Sequence, residues 1–218
     1  MTDSHTRLAG TASVVVLALA VLVGVALDPT VRLLPVRARL SDLGRPGGAG
    51  AFPFDYGLVV AGLLGLAFVR AWWPAASESR DRVAAGLAGV VFGCLAVAGL
   101  FPEPSAVHLP FLAGAYLAAW AGPLLDGVRL RRDGADDGGR SRAGVALLAG
   151  AALVALLWGI RAVVQVTTFL LSGATSALLL TEVATLALFA GWVLFRAWVG
   201  GPALTVDAPA GDLSVDGR

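Results

Sequence analysis

Long apolar runs separated by short polar segments set the layout of this chain. Six stretches, at 8–27, 55–73, 83–101, 107–128, 143–166 and 175–199, carry almost only apolar and small residues. The hydrocarbon core of a bilayer is about 30 Å thick and needs about 20 such residues as a helix. Each stretch therefore predicts one crossing. No water is present at that depth to satisfy the backbone, so an isolated crossing segment must be helical. The pattern predicts an all-α integral membrane bundle of six transmembrane helices, one domain over residues 1–200. Residues 201–218 have too little apolar content to pack a core and read as a flexible tail. The first run follows Arg7 in the manner of a signal peptide. Val25-Ala26-Leu27-Asp28, however, puts Leu where cleavage needs a small residue, so an uncleaved anchor is expected.

Arginine placement orients the bundle. With six crossings, Arg7, Arg70, Arg80, Arg82, Arg129, Arg131, Arg132, Arg140, Arg142, Arg196 and Arg218 share one side, 11 in all. The opposite side holds Arg32, Arg37, Arg39, Arg45 and Arg161, which is 5. The Arg-rich side is expected to be cytoplasmic. Both termini then lie in the cytoplasm and the protein in the cell membrane. The segment 131–142, RRDGADDGGRSR, reads as a cytoplasmic linker, and Trp72, Trp73, Trp120 and Trp198 fall at or near that end as an interfacial belt.

Composition agrees and removes other classes. Hydrophobic residues make up 57% of the chain and charged residues 14%, with a mean hydropathy of +0.81. That leaves too few charges to cover a water-facing surface, since soluble domains carry about 25%. Net charge is +1 and the basic residues are scattered, so no nucleic-acid groove is expected. Cys94 stands alone, which excludes an internal disulfide and a Cys-x-x-Cys pair. His5 and His108 are too few for a three-histidine zinc site, and no metal or cofactor is expected. Small residues recur every fourth position at Ala85/Gly89/Gly93, Gly114/Ala118/Gly122 and Ala151/Ala155/Gly159. Such stripes allow close helix packing within one bundle, and leave the oligomeric state open.

The candidate chemistry gathers on the Arg-poor side. Ser41 and Asp42 lie in the first loop, Glu103 and His108 in the third-fourth connection. Arg161 sits about a turn inside the end of the fifth span, and Glu182 about two turns inside the sixth. Glu182 interrupts an apolar run, where a carboxylate faces the bundle interior with a partner. Arg161 is the natural partner, with Thr181, Thr185 and Gln165 available to complete the hydrogen bonds. The pair is either an internal lock between two helices or the charged floor of an outward pocket. Two prolines flank Glu103 and restrict its geometry relative to His108. With Asp42 they have the chemistry for acid-base catalysis or metal ligation, or for a polar cap on the fourth helix.

Three patches also resemble a known family. Leu40-Ser41-Asp42-Leu43-Gly44, Phe54-Asp55-Tyr56-Gly57-Leu58 and Gly99-Leu100-Phe101-Pro102-Glu103, the last followed by His108, resemble the prokaryotic multi-pass membrane proteins known as domain of unknown function 998. The resemblance implies a six-helix membrane fold and a shared feature at Ser41, Asp42, Glu103 and His108. Asp55 stands where the family tends to have Asn. The residues together predict a polar pocket in the outer half of the bundle, binding a lipid headgroup or small polar ligand through Ser41, Asp42, Glu103, His108, Arg161, Gln165 and Glu182. The alternatives are a membrane-embedded lipid hydrolase using His108 with Asp42 or Glu103, and a proton- or ion-coupled transporter using Glu182. Orientation is directly testable. With Cys94 replaced by Ser, a cysteine at Ser105 should react with an impermeant maleimide from outside intact cells; reaction only after lysis would place the His108 segment in the cytosol.

Overall fold

The computed structural model describes residues 2–28, 39–76, 78–133, 138–172 and 179–199. Six long helices account for nearly all of them: α1 (Thr2–Leu27), α2 (Ala51–Trp72), α3 (Ser79–Leu100), α4 (His108–Asp133), α5 (Gly138–Ser172) and α6 (Leu179–Trp198). All six are long and apolar enough to cross a membrane. The predicted tail at 201–218, residues 29–38 of the first loop and the 173–178 connection lie outside the described residues.

Local chemistry sets the helix ends. Gly47 takes a φ of +86°, a left-handed conformation that costs L side chains, and turns the chain into α2. Trp73-Pro74-Ala75 closes α2 with a short 3-10 turn. Pro102 disfavours helical geometry at Phe101, just beyond the last residue of α3. Pro110 falls in the first turn of α4, where its missing N–H is tolerated.

Consecutive helices run in opposite directions and pack as neighbours, α1 on α2, α2 on α3, α3 on α4 and α4 on α5. Helix α6 closes the bundle against α1, α4 and α5. Its buried residues Glu182, Thr185, Leu186, Phe189, Trp192, Val193 and Arg196 follow the three-and-four spacing of one helical face. Phe189 and Trp192 anchor an aromatic column, with Phe92 5.1 Å from Phe189 and Trp72 6.0 Å from Trp192. The two ends of the described chain meet: Trp198 Nε1 donates to Thr11 Oγ1 at 3.0 Å, and the Arg7 guanidinium lies 5.8 Å from the Trp198 ring.

Some elements differ from the sequence expectation. Helix α5 has 35 residues, about 52 Å at a rise of about 1.5 Å each, so it tilts through a core of about 30 Å or extends past it. Its last turns present Phe169, Leu170 and Leu171 outward. The described α6 begins at Leu179, which puts Glu182 in its first turn. Trp73 and Trp198 are exposed as an interfacial belt requires, whereas Trp72 is buried against Trp192. Trp120 turns inward too, because Ala151 O accepts its N–H at 2.9 Å.

Helices α2 and α3 approach closely through their backbones. A Cβ added at Gly62 would lie 2.6 Å from Phe92 O and 2.8 Å from Ala96 N, both main-chain atoms that cannot turn aside. Gly93, by contrast, has nothing within 4 Å of the same position. Gly62→Ala should therefore destabilise the bundle by about 1–3 kcal/mol, the usual cost of overpacking, while Gly93→Ala should cause no loss. Thermal unfolding in detergent micelles compares the two.

Candidate functional site

A short 3-10 helix, Leu40–Gly44, enters the bundle between α1, α2 and α6. Leu40, Ser41 and Leu43 are buried, so part of the first loop is core. Asp42 organises this turn. Its Oδ2 accepts the Arg39 backbone N–H at 2.6 Å and its Oδ1 pairs with Arg45 at 2.6 Å on the exposed side. The carboxylate thus caps its own helix, where the N-terminal dipole favours a negative charge.

Glu182 holds the wedge in place. Its Oε2 accepts the Leu40 backbone N–H at 2.6 Å and its Oε1 accepts from Arg161 Nη1 at 2.9 Å. Arg161 Nη1 also donates to Thr181 Oγ1 at 3.0 Å. The guanidinium stacks 4.7 Å from the centre of the Trp158 ring, a cation–π contact. The Trp158 N–H goes to Thr185 Oγ1 at 3.0 Å, and that hydroxyl donates to Thr181 O at 2.7 Å. Burying a charge is costly unless it is paired and hydrogen-bonded, and here both carboxylate oxygens are. Gln165 lies one turn beyond Arg161 on α5, half-buried, and its side chain bonds none of the described residues.

His108 opens α4 and is 4% exposed. Its Nδ1 lies 3.0 Å from Phe101 O and 3.3 Å from Ala98 O. Carbonyls only accept, so Nδ1 carries a proton and donates. A cavity of about 10 Å³ adjoins it, lined by Ser41, His108 and Tyr116 with Leu58, Leu112 and Leu186. Glu103 is half-buried in the connection before α4, and its side chain bonds none of the described residues. Among the described residues no group of three or more His, Cys, Asp or Glu is arranged to hold a metal ion.

A larger space lies on the other side of Tyr116. Ala113, Tyr116, Leu117 and Trp120 of α4 face Ala155 and Trp158 of α5 across a cleft of about 420 Å³. Tyr116 and Trp158 pack ring to ring at 5.6 Å, and Trp158 is the ring beneath Arg161. The cleft thus ends at the ion pair.

The sequence-predicted residues fall into separate groups. Arg161 meets Glu182, and Ser41 meets His108 at the small cavity. Asp42 turns to Arg39 and Arg45, while Glu103 and Gln165 stand at the margins. Sequence reasoning did not find Tyr116, Trp158 or the Leu40 N–H. It also missed a second network at the Arg-rich end. There Arg196 Nε donates to Asp126 Oδ2 at 2.6 Å, and Trp192 Nε1 donates to the same oxygen at 2.8 Å. Arg196 also pairs with Asp126 Oδ1 and, at 3.2 Å, with Asp81, which pairs in turn with Arg129. The available signal was Asp126 itself, an acid inside a predicted span.

The family model described as "Protein of unknown function (DUF998)" matches residues 11–205, and the chain belongs to this family. No curated protein and no solved structure matches it.

Removing one partner of a buried ion pair strands the other charge and costs about 3–5 kcal/mol, whereas replacing both with apolar groups is often neutral. Arg161→Met alone should lower stability by about that amount, and Arg161→Met with Glu182→Leu should recover part of it, the Leu40 N–H then lacking its acceptor. Unfolding in mixed detergent–SDS micelles measures the cycle. Additive losses in the double variant would show that the two side chains do not act as a pair.

Proposed function

We propose that this member of the DUF998 family binds a membrane lipid on the α4–α5 face, with one acyl chain in the cleft and an anionic headgroup directed to Arg161 and Gln165. The observation that carries this reading is the junction at Trp158, which is both a wall of the apolar cleft and the ring stacked under the Arg161 guanidinium. A volume of about 420 Å³ is within the usual range for small-molecule sites, about 300–1,000 Å³. The lining is aliphatic and aromatic, which suits a hydrocarbon chain. Arg161 uses Nη1 for Glu182 and Thr181, while Nε and Nη2 bond none of the described residues. Its planar fork suits a phosphate or carboxylate, which takes two parallel N–H donors.

The geometry favours a lateral cleft over a pocket among Ser41, Asp42, Glu103 and His108. The 3-10 wedge fills that region and leaves about 10 Å³, too small for a headgroup. Arginine counts support an orientation with both termini in the cytoplasm of a cell-membrane protein. Arg161 then faces the outer leaflet, so the lipid enters sideways from that leaflet.

Native mass spectrometry of the full chain released from nanodiscs tests the reading. With equal phosphatidylglycerol and phosphatidylcholine, the protein should retain phosphatidylglycerol preferentially. Ala155→Phe, which fills the cleft without touching the ion pair, should weaken retention at least tenfold, about 1.4 kcal/mol. An unchanged lipid complement in Ala155→Phe would remove the cleft as the binding site.

A further inference from the structure

The inward face of α5 changes character partway along the helix. Leu147, Ala151 and Val154 are buried and Trp158 half-buried, at the three- and four-residue intervals of one face. Continued in the same steps, that face carries Arg161, Gln165, Thr168 and Ser172. It is apolar up to Trp158 and polar from Arg161 onwards. Between Arg161 and Ser172 only Gln165 and Thr168 are half-buried, and the residues around them are exposed. The exposed ones include Val163, Val166, Phe169 and Leu170. This reverses a water-facing amphipathic helix, whose apolar side is the one turned to the core. Gln165 lies four residues beyond Arg161, about 6 Å along the axis, and its side chain bonds none of the described residues. An amide offers N–H donors and a carbonyl acceptor, and a threonine hydroxyl does both. The order along α5 is that of an amphiphile: Ala155 and Trp158 line the apolar cleft, Arg161 supplies a cation, and Gln165 and Thr168 follow with neutral polar groups.

We infer that Gln165 and Thr168 set the headgroup class of the lipid: a phosphodiester that carries a polyol, with its phosphate at Arg161 and its hydroxyls on Gln165 and Thr168. The inference rests on the reading that the α4–α5 cleft holds the lipid's chain. Charge alone does not select within the anionic lipids, because every one of them offers a phosphate to the Arg161 fork. Selection comes one turn further out. A hydroxyl both donates and accepts, so it complements an amide and a second hydroxyl. An alkyl or trimethylammonium group has no O–H or N–H and would cover these side chains without pairing them, which forfeits their solvation. A site built to hydrogen-bond a hydroxyl rejects an analogue without it more strongly than an apolar pocket rejects an extra methylene. A bare phosphate on Arg161 stops short of Gln165, whereas a polyol attached through the phosphate continues along the stripe. The apolar residues on the opposite side of this stretch leave the inward side as the polar path for the headgroup.

Phosphatidylethanol provides the test, since it has the single charge of phosphatidylglycerol and no headgroup hydroxyl. The full chain is released for native mass spectrometry from nanodiscs holding both lipids and phosphatidylcholine in equal amounts, all with the same acyl chains. Phosphatidylglycerol should be retained about tenfold over phosphatidylethanol, as two net hydrogen bonds would give. Gln165→Leu with Thr168→Val should narrow that ratio to about twofold or less, while Val166→Leu, on the outward side, should keep it. Phosphatidylinositol in place of phosphatidylglycerol separates a ring polyol from glycerol, and retention of either above phosphatidylethanol supports the class. Equal retention of phosphatidylethanol and both polyol lipids, all above phosphatidylcholine, would overturn the inference and leave lipid binding in the cleft standing. Retention of none above phosphatidylcholine would overturn both. An undiminished ratio in the double variant would remove Gln165 and Thr168 as its source.

Discussion

The arrangement of this end of the bundle depends on matching one buried carboxylate. Glu182 is 2% exposed, and a charge so placed needs a partner for each oxygen. One partner is the Arg161 side chain of α5 and the other is the backbone N–H of Leu40. A single residue thus positions a helix on one side and a loop on the other. A backbone donor is demanding, because it sets the height and orientation of the whole Leu40–Gly44 turn. Once that turn is seated, Leu43 packs at full burial and Ser41 faces His108. The polar residues of this end consequently form a plug with one small void.

Helix α6 performs the mirror task at its other end. There it contributes the cation, Arg196, and α3 and α4 contribute the acids, Asp81 and Asp126. The guanidinium also lies 5.0 Å from the Trp72 ring, which brings α2 into the same cluster. Both ends of α6 are therefore fixed ionically while its middle is fixed by aromatic packing. Between α4 and α5 the Trp120 N–H reaches Ala151 O. Near the Arg-rich end its backbones almost touch, since a Cβ on Gly144 would sit 2.9 Å from Gly127 O. Towards the other end Tyr116, Trp120 and Trp158 stand between the helices and hold them apart. Glycine contact below and aromatic spacers above make two helices splay, and the cleft is the space that splaying leaves.

Hydropathy made the six crossings legible because the bilayer imposes length and composition on every one of them. Glu182 and Arg161 were legible for a related reason: an isolated charge in an apolar run must find its opposite. Asp126 satisfied the same logic, yet it lies only three residues before Arg129 and reads as part of a polar helix end. Its partners Arg196 and Trp192 are 70 and 66 positions away, and only the rotation of each helix brings them together. Asp42 looked free to act because sequence does not reveal that a short turn uses its own carboxylate as a cap. The wedge was invisible for the same reason. A Gly- and Arg-rich loop reads as solvated, and its burial depends on a backbone contact with a residue 142 positions later.

These commitments weigh differently on the competing chemistries. A transporter using Glu182 as its titrating group would have to protonate a carboxylate held by a cation and a backbone donor. Each turnover would then release the wedge as well as the proton. A hydrolase using His108 would start from an imidazole already fixed through Nδ1. It also lacks access, because Tyr116 and the wedge leave no room there for an ester group and Asp42 is engaged elsewhere. Lateral lipid binding asks for neither rearrangement. Arg161 can keep Glu182 on Nη1 and present its remaining N–H groups to an anion, while the cleft beside Trp158 offers about 420 Å³ lined by aliphatic and aromatic side chains. The ion pair that locks the fold and the cation that recognises the lipid are then the same residue, acting through different nitrogens.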